Sequence, residues 1–183
     1  MASADYVLID EFKHILAALT PANRLAIEVS LSTGLRISDV LELRTGLLKK
    51  RMVIWEKKTG KRKFVYINSD LLEQILRQAG RIYVFEGRTN PNKHRSRQAV
   101  YKDIKRAARL FRIPQKMVVS PHSARKIYAV NALKKYGNIE KVQNLLNHSS
   151  EAVTMVYAMA DILTARKLGE KYERVCRSFG DSC

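Results

Sequence analysis

The residues best placed for chemistry near the end of the chain are His148 and Tyr157, nine positions apart. Asn147 precedes them, and asparagine tolerates the left-handed conformation that ends many helices. Ser149 or Ser150 suits the N-cap of a following helix, so the pattern predicts a helix, a turn and a short second helix. Such an arrangement holds an imidazole at a turn and a phenol about two helical turns further on. A tyrosine at helical spacing is more often half-buried packing, so this pair alone does not define a site.

Arg36 lies in a turn just before a predicted short helix. A phosphate bound there would meet the guanidinium and the free N–H groups of the helix together. A surface arginine paired with Asp39 or Glu42 explains the turn equally well.

His122 and Arg125 are three residues apart on a helix predicted to begin at Pro121, and therefore share a face. Together they are suited to bind one phosphate, or to act as an acid or base beside an oxyanion clamp. A histidine that caps its own helix and a solvated arginine are the simpler alternative.

Lys58 lies at the tip of a predicted hairpin with the sequence Lys-Lys-Thr-Gly-Lys. A lysine on a flexible tip can reach into a groove and deliver a proton. Contact with a nucleic-acid backbone, or plain surface charge, is the alternative.

The charge of the whole chain points to a polyanionic partner. Its 183 residues include 34 Lys and Arg against 17 Asp and Glu, a formal net charge of +17. Nucleic acid is the first candidate, although a ribosome-associated protein would share this charge. Residues 44–63 and 88–112 each hold nine basic residues and a single acid, Glu56 or Asp103. This distribution predicts one phosphate-facing surface.

Other classes of protein fit the sequence poorly. No apolar run approaches the ~20 residues that span a bilayer, and no signal-peptide core is present. An acidic membrane surface lacks a matching basic amphipathic helix. The only cysteines, Cys176 and Cys183, suggest neither a disulfide framework nor a metal cluster, which favours the reducing cytoplasm.

The pattern of apolar residues predicts a mostly helical domain with a small antiparallel sheet. The helices are predicted near 10–19, 21–34, 40–43 with Ser38 as cap, 70–79, 98–110, 121–137 and 139–146. Residues 52–55 and 64–67 are rich in β-branched and aromatic residues around Thr59-Gly60, which predicts a hairpin with a basic tip. Residues 81–85 form either a third strand or an extended segment. Pro114 breaks the helix predicted over 98–110, and 162–179 are predicted to form a terminal helix or tail.

Four motifs occur in one order along the chain. They are Thr-Gly-Leu-Arg at 33–36, Lys-Thr-Gly at 58–60, His-x-x-Arg at 122–125, and His148 followed by Tyr157. This ordered set resembles the tyrosine recombinases, the phage-integrase family, from about residue 6 to 160. The resemblance implies the catalytic-domain fold of that family, mainly α with a small antiparallel β-sheet (α+β).

The resemblance also implies a role for each motif residue. Tyr157 would be the nucleophile that attacks a scissile DNA phosphate and forms a 3′-phosphotyrosyl bond. Arg36 and Arg125 would hold the non-bridging oxygens. Lys58 would be the general acid for the departing 5′-oxygen.

Two histidines and a carboxylate complete the set. His122 would act as acid or base near the nucleophile, His148 would hydrogen-bond the phosphate, and Asp39 would support the site from behind. A tyrosine hydroxyl with a pKa near ~10 needs cationic neighbours, which this set provides. A lysine protonates the leaving oxygen without a metal, and no carboxylate cluster suits two-metal chemistry. We therefore expect no metal, no ATP and no other cofactor.

The expected function is that of a site-specific DNA recombinase or integrase in the cytoplasm of a bacterial or phage-infected cell, at the nucleoid. Double-stranded DNA is the expected partner, with the protein monomeric in isolation and tetrameric on DNA. A type IB topoisomerase, which uses a similar residue set, and a non-catalytic DNA-binding module are the alternatives. The expected contacts to the DNA backbone come from the hairpin and from the helix predicted over 98–110 with the residue before it: Lys57, Lys61, Arg62, Arg97, Lys102, Lys105 and Arg106.

Three features depart from the family pattern. Asn147 stands where the family usually has glycine, and Lys126 where it commonly has histidine or arginine. Family members normally carry an N-terminal helical domain that closes around the DNA. We interpret residues 1–183 as a single catalytic domain without that core-binding domain, either a fragment or a naturally short protein. Residues 161–183 would then pack on a neighbouring protomer or back on their own domain.

Overall fold

A computed structural model of the protein describes residues 7, 9–111, 118–147 and 169. Within these ranges the chain is mainly helical and contains one two-stranded antiparallel sheet, which confirms the predicted fold class. The helices and strands, in chain order, are α1 (Ile9–Ala17), α2 (Pro21–Thr33), α3 (Ile37–Leu41), β1 (Arg51–Trp55), β2 (Arg62–Tyr66), α4 (Ser69–Gln78), α5 (Arg97–Leu110), α6 (Pro121–Tyr136) and α7 (Ile139–Leu146).

The predicted hairpin is confirmed, with β1 and β2 joined by a loop over residues 56–61. Val53 faces Phe64 in the antiparallel register, and their side chains lie on the exposed face. Residues 63 and 65 lie on the buried face. The segment 81–85 is extended rather than a third strand: among the described residues it makes only an isolated bridge, between Arg44 and Tyr83.

The core lies between α1, α2, α5 and α6. Phe12, Ile27, Ile104 and Ile127 from these helices are wholly buried. A smaller apolar cluster fixes α7 on α6, so the end of α7 has a defined position against the main core. This cluster consists of Ala129, Ala132, Val142 and Leu146.

The predicted helix ends at Gly34 and near Gly137 are confirmed, as is the left-handed conformation predicted for Asn147. Gly34 ends α2 with φ 66°, Gly137 ends α6 with φ 62°, and Asn147 ends α7 with φ 50° and ψ 37°. Asparagine replaces glycine at residue 147 without changing the turn, because it tolerates this region.

The predicted start of the third helix was wrong. Arg36, not Ser38, is the N-cap of α3, with φ −67° and ψ 145°. The carbonyl of Arg36 already accepts the backbone N–H groups of Asp39 and Val40 at 2.9 and 3.0 Å. Ile37 is buried, and packing it into the core draws the first turn back toward Arg36.

Several predictions fall on residues outside the described ranges. They are the helix break at Pro114, the turn and helix that carry His148 and Tyr157, and the C-terminal helix or tail over 161–183 apart from residue 169. No helix in the described part of the chain is long and apolar enough to cross a membrane.

Candidate active site

The turn that carries Arg36 is held by hydrogen bonds of its neighbours. The hydroxyls of Thr33 and Ser30 donate to backbone carbonyls at 2.6 and 2.7 Å. A Cβ on Gly34 would lie 2.5 Å from Cδ1 of Tyr128, so this position needs both the left-handed backbone and the missing side chain. The turn therefore presents Arg36 from a rigid base, with its side chain only 14% exposed.

Arg125 is the largest fully buried side chain in the described structure, at 2% exposure. Its Nη1 donates to the carbonyl of Gly34 at 2.7 Å, and its Nη2 donates to the carbonyl of Leu146 at 2.6 Å. Arg125 thus links α6 to the turn before Arg36 and to the end of α7. A solvated arginine, the simpler alternative from sequence, does not describe this residue.

One buried carboxylate lies between the two arginines. Oε1 of Glu56 is 3.0 Å from Nη1 of Arg36 and 3.5 Å from Nη1 of Arg125. Burial raises the pKa of Glu56, but the amide of Asn147, the two guanidinium groups and the hydroxyl of Thr59 outweigh it and leave the pKa below its usual value. Glu56 is therefore an anion at neutral pH, and Arg36 pairs with it rather than with Asp39 or Glu42.

His122 and Lys58 lie near the same arginines. The capping box of Ser120 and Ser123 starts α6, with His122 in its first turn. His122 is exposed, yet the part of it that is buried lowers its pKa, and the positive charges of Arg125, Arg36, Arg97 and Lys58 lower the pKa further. Lys58 itself is exposed on the hairpin. Arg36, Lys58, His122 and Arg125 therefore come together, whereas the predicted partners His148 and Tyr157 lie outside the described residues.

Asp39 is buried beneath this group. Its Oδ1 accepts the backbone N–H of Lys57 at 3.1 Å, which ties α3 to the hairpin loop. Burial raises the pKa of Asp39, the hydrogen bond from Lys57 opposes this, and the neighbouring Glu56 adds to the rise. The supporting role that the family resemblance implies for Asp39 stays a prediction.

Sequence reasoning missed two buried charged residues, Glu56 and Lys63. Lys63 is 5% exposed, and its amine lies 5.7 Å from the centre of the Tyr128 ring. Burial, with the charges of Arg125 and Arg36, lowers the pKa of Lys63 to about 7. The burial of Lys63 could have been predicted from the alternation of side chains along a strand, because residue 63 shares the inward face of β2 with residue 65. For Glu56 the signal was its place as the single acid in a basic stretch.

The basic residues predicted to contact a DNA backbone lie mostly at the surface, but several have partners within the protein. Nζ of Lys57 is 2.6 Å from Glu42, and Arg106 binds both Asp103 and the carbonyl of Ala18. Arg62 stacks over Trp55 and Lys105 over Tyr101. Lys61, Arg97 and Lys102 are exposed.

The described site is suited to bind an oxyanion. Two guanidinium groups, an imidazole and an ammonium group approach one another, and guanidinium forks match phosphate oxygens. Among the residues that the structure describes, no group of three or more His, Cys, Asp or Glu side chains is arranged to hold a metal ion.

Known proteins with a similar sequence or fold are DNA recombinases and integrases. A tyrosine recombinase of Thermosipho africanus is 27% identical over 164 residues, which cover 84% of this chain and 56% of that protein. Lambda integrase residues 75–356, crystallised as a dimer bound to a COC′ core site, superimpose with a TM-score of 0.71 at 20% identity over 86% of this chain and 60% of theirs. The catalytic domain of bacteriophage HP1 integrase gives 0.64 at 20% identity, over 86% of this chain and 89% of that domain.

The chain spans little more than half the length of the Thermosipho relative. The structural matches show that the described fold is that of tyrosine recombinase catalytic domains. The family model described as the phage integrase family matches residues 6–162. Since this match covers most of the 183 residues, the chain belongs to the phage integrase family.

Proposed function

We propose that this chain is the catalytic domain of a site-specific DNA recombinase or integrase. It cleaves and rejoins DNA strands through a covalent 3′-phosphotyrosyl intermediate on Tyr157. The observation that carries the proposal is the meeting of Arg36 and Arg125 at one buried carboxylate, with His122 close enough for their charges to lower its pKa. Membership of the family supports a DNA strand transferase.

Arg36 and Arg125 hold the non-bridging oxygens of the scissile phosphate. Guanidinium groups remain charged at any physiological pH and can donate two parallel hydrogen bonds to a phosphate. Their anchoring matters because a preorganised donor stabilises the developing charge without rearranging during the reaction. The two carbonyl contacts of Arg125 support such anchoring.

Protons move at both ends of the reacting phosphate. The hydroxyl of Tyr157 attacks phosphorus and gives its proton to His122, whose lowered pKa favours the neutral, proton-accepting ring. Lys58 donates a proton to the departing 5′-oxygen, and His148 hydrogen-bonds the phosphate. Arg36 and Arg125 together form the phosphate clamp. Asp39 supports this clamp through its hydrogen bond to the backbone of the hairpin loop.

Neither a metal ion nor ATP takes part in the proposed reaction. The cationic side chains offset the charge of the phosphate, and Lys58 protonates the leaving group. The phosphotyrosyl bond conserves the energy of the phosphodiester, so religation needs no external energy source. Cleavage is therefore expected to continue unchanged in EDTA without nucleotide.

The partner is double-stranded DNA, and the protein is monomeric in isolation and tetrameric on DNA, at the nucleoid of a bacterial or phage-infected cell. The net charge of +17 supports DNA as the partner, and the lambda integrase dimer on its core site supports assembly of more than one protomer on DNA. The segment 161–183 packs on a neighbouring protomer or on its own domain. Affinity should fall steeply with salt, as expected for contacts to phosphates. The proposed contacts are Lys57, Lys61, Arg62, Arg97, Lys102, Lys105 and Arg106.

A pool of nicked duplexes with a randomised core tests the proposal without a known target site. Cleavage next to the nick releases a short strand and traps the covalent adduct, which migrates as a protein–DNA band under denaturing conditions. We expect a band from the native chain, no band from Tyr157→Phe, and a loss of at least about 100-fold with Arg36→Ala while DNA binding persists.

The outcomes also separate the alternatives. DNA binding without any covalent adduct would overturn the proposed enzymatic function and favour a non-catalytic DNA-binding module. An equal adduct from Tyr157→Phe would show that another residue is the nucleophile. Relaxation of a supercoiled plasmid that carries no paired sites would instead identify a topoisomerase.

A further inference from the structure

Glu56 contacts all of the described segments that carry the candidate catalytic residues. Its Oε1 lies beside Arg36 and Arg125, as described above. Its Oε2 accepts the hydroxyl of Thr59 at 3.0 Å and the side-chain amide of Asn147 at 3.1 Å. Thr59 follows Lys58 in the hairpin loop, and Asn147 immediately precedes His148 in the sequence. One carboxylate thus joins four separate parts of the chain.

The backbone of Glu56 is held as firmly as its side chain. Its N–H donates to the carbonyl of Lys61 at 3.0 Å, and its carbonyl accepts the N–H of Gly60 at 2.8 Å. These bonds close the base of the loop that carries Lys58. The carboxylate therefore projects from a fixed point and transmits the position of that loop to the arginines.

The carboxylate of Glu56 attracts the guanidinium of Arg36 but does not occupy all of its hydrogen-bond donors. Oε1 of Glu56 and Nη1 of Arg36 are 3.0 Å apart, yet neither atom has a hydrogen-bond partner among the described residues. The N–H vectors of Arg36 are thus not directed at the carboxylate. An anion in this place offsets the repulsion between two close cations and leaves hydrogen-bond donors of Arg36 for a second oxyanion.

We propose that Glu56 is a positioning residue for strand cleavage in this protein. Its buried charge sets the spacing of Arg36 and Arg125 and couples this pair to the Lys58 loop and to the turn before His148. Glu56 itself does not touch the DNA. This inference rests on the proposed recombinase function, which it extends to a residue outside the motifs.

The test compares Glu56→Gln with Glu42→Gln. Both substitutions remove one negative charge, but Glu42 pairs with the exposed Lys57 and, within the described part of the chain, forms no salt bridge with Arg36 or Arg125. We expect Glu56→Gln to lower the cleavage rate at saturating nicked DNA by about 30-fold, because displacement of the clamp by a fraction of an ångström misaligns the phosphate. The DNA concentration at half-maximal rate should not rise, and Glu42→Gln should cleave at the native maximal rate.

A second readout uses inorganic phosphate, titrated by ³¹P nuclear magnetic resonance. Neutralising Glu56 increases the positive potential at the arginines, so Glu56→Gln should bind phosphate about 3- to 10-fold more tightly while cleaving more slowly. A residue that only stabilises the fold would instead reduce both signals with the folded fraction, measured by circular dichroism. Equal phosphate affinities for Glu56→Gln and Glu42→Gln, or a native cleavage rate for Glu56→Gln, would overturn the proposal.

A gentler variant keeps the test decisive if Glu56→Gln folds poorly. Asn147→Gly preserves the left-handed turn and removes the side-chain amide, which binds Oε2 of Glu56 at 3.1 Å and the carbonyl of Arg62 at 3.3 Å. We expect about a threefold loss of cleavage rate with unchanged DNA affinity, and no loss would contradict the coupling. If the native chain forms no adduct, the proposed function fails, whereas the phosphate titration still decides whether Glu56 governs the clamp.

Discussion

The two basic stretches of this chain each contain a single acid, and the fold buries both acids for different purposes. Asp103 on α5 accepts the backbone N–H and hydroxyl of Thr20 at 2.9 Å each and the amide of Asn23 at 2.7 Å. Nη2 of Arg106 also donates to Oδ1 of Asp103 at 2.7 Å. Glu56 instead lies between two arginines that are themselves largely buried.

The hydrogen-bond donors around each carboxylate explain why Asp103 and Glu56 have different roles. Asp103 receives mainly neutral donors at the N-terminus of α2, where an anion also meets the helix dipole. Burial raises its pKa, but the bonds from Thr20, Asn23 and Arg106 outweigh this and lower the pKa to about 2. Asp103 is therefore a structural link between two helices. Glu56, surrounded by candidate catalytic groups, is a counter-ion within a site.

The largest effect that separates the two carboxylates should come from Asp103→Ala. It leaves the buried amide of Asn23 and the backbone N–H of Thr20 without their acceptor and Arg106 without its partner, which we expect to lower the free energy of unfolding by about 3–5 kcal/mol. Urea denaturation measures this change. The cleavage rate per folded molecule should remain native. A rate that falls further than the folded fraction would mean that Asp103 also serves the site.

Lys63, which is buried near Glu56, should show the opposite effect to Asp103: removing its charge should raise the free energy of unfolding rather than lower it. Its folded pKa of about 7 lies below the usual lysine pKa of 10.5, so the unfolded chain binds an additional proton between these values. Stability should therefore rise with pH from about 7 to about 10, and this contribution is absent below pH 7. Lys63→Met should remove that slope and raise the free energy of unfolding at pH 7 by about 1–4 kcal/mol. Urea melts across this pH range measure both effects, and an unchanged slope would contradict the low pKa.

Local signals in the sequence predicted most of the fold and part of the site. Gly34 and Asn147 mark helix ends because few residues accept their backbone conformation, and Pro121 marks a helix start for a similar reason. The ordered motifs placed Arg36 and Arg125 in one site. The pairing of Glu56 with both depends on contacts between residues far apart in the chain, which no local pattern records. Tertiary packing likewise overrode Ser38 as a cap, because the burial of Ile37 starts α3 at Arg36.

The smallest expected effect concerns Glu42, which lies on the exposed side of the hairpin loop. Its carboxylate is 2.6 Å from Nζ of Lys57, one of the proposed DNA contacts, so the lysine must leave this partner to reach a phosphate. Glu42→Gln should therefore raise the affinity for duplex DNA by less than about threefold and leave the maximal cleavage rate native, because exposed ion pairs are weak. If Lys57 gains one phosphate contact, the slope of log affinity against log salt steepens by up to about 0.9. Fluorescence anisotropy at several salt concentrations measures both quantities. An unchanged slope would show that Lys57 does not contact a phosphate. Lys57 would then be a residue that pairs only within the protein, as Arg106 pairs with Asp103.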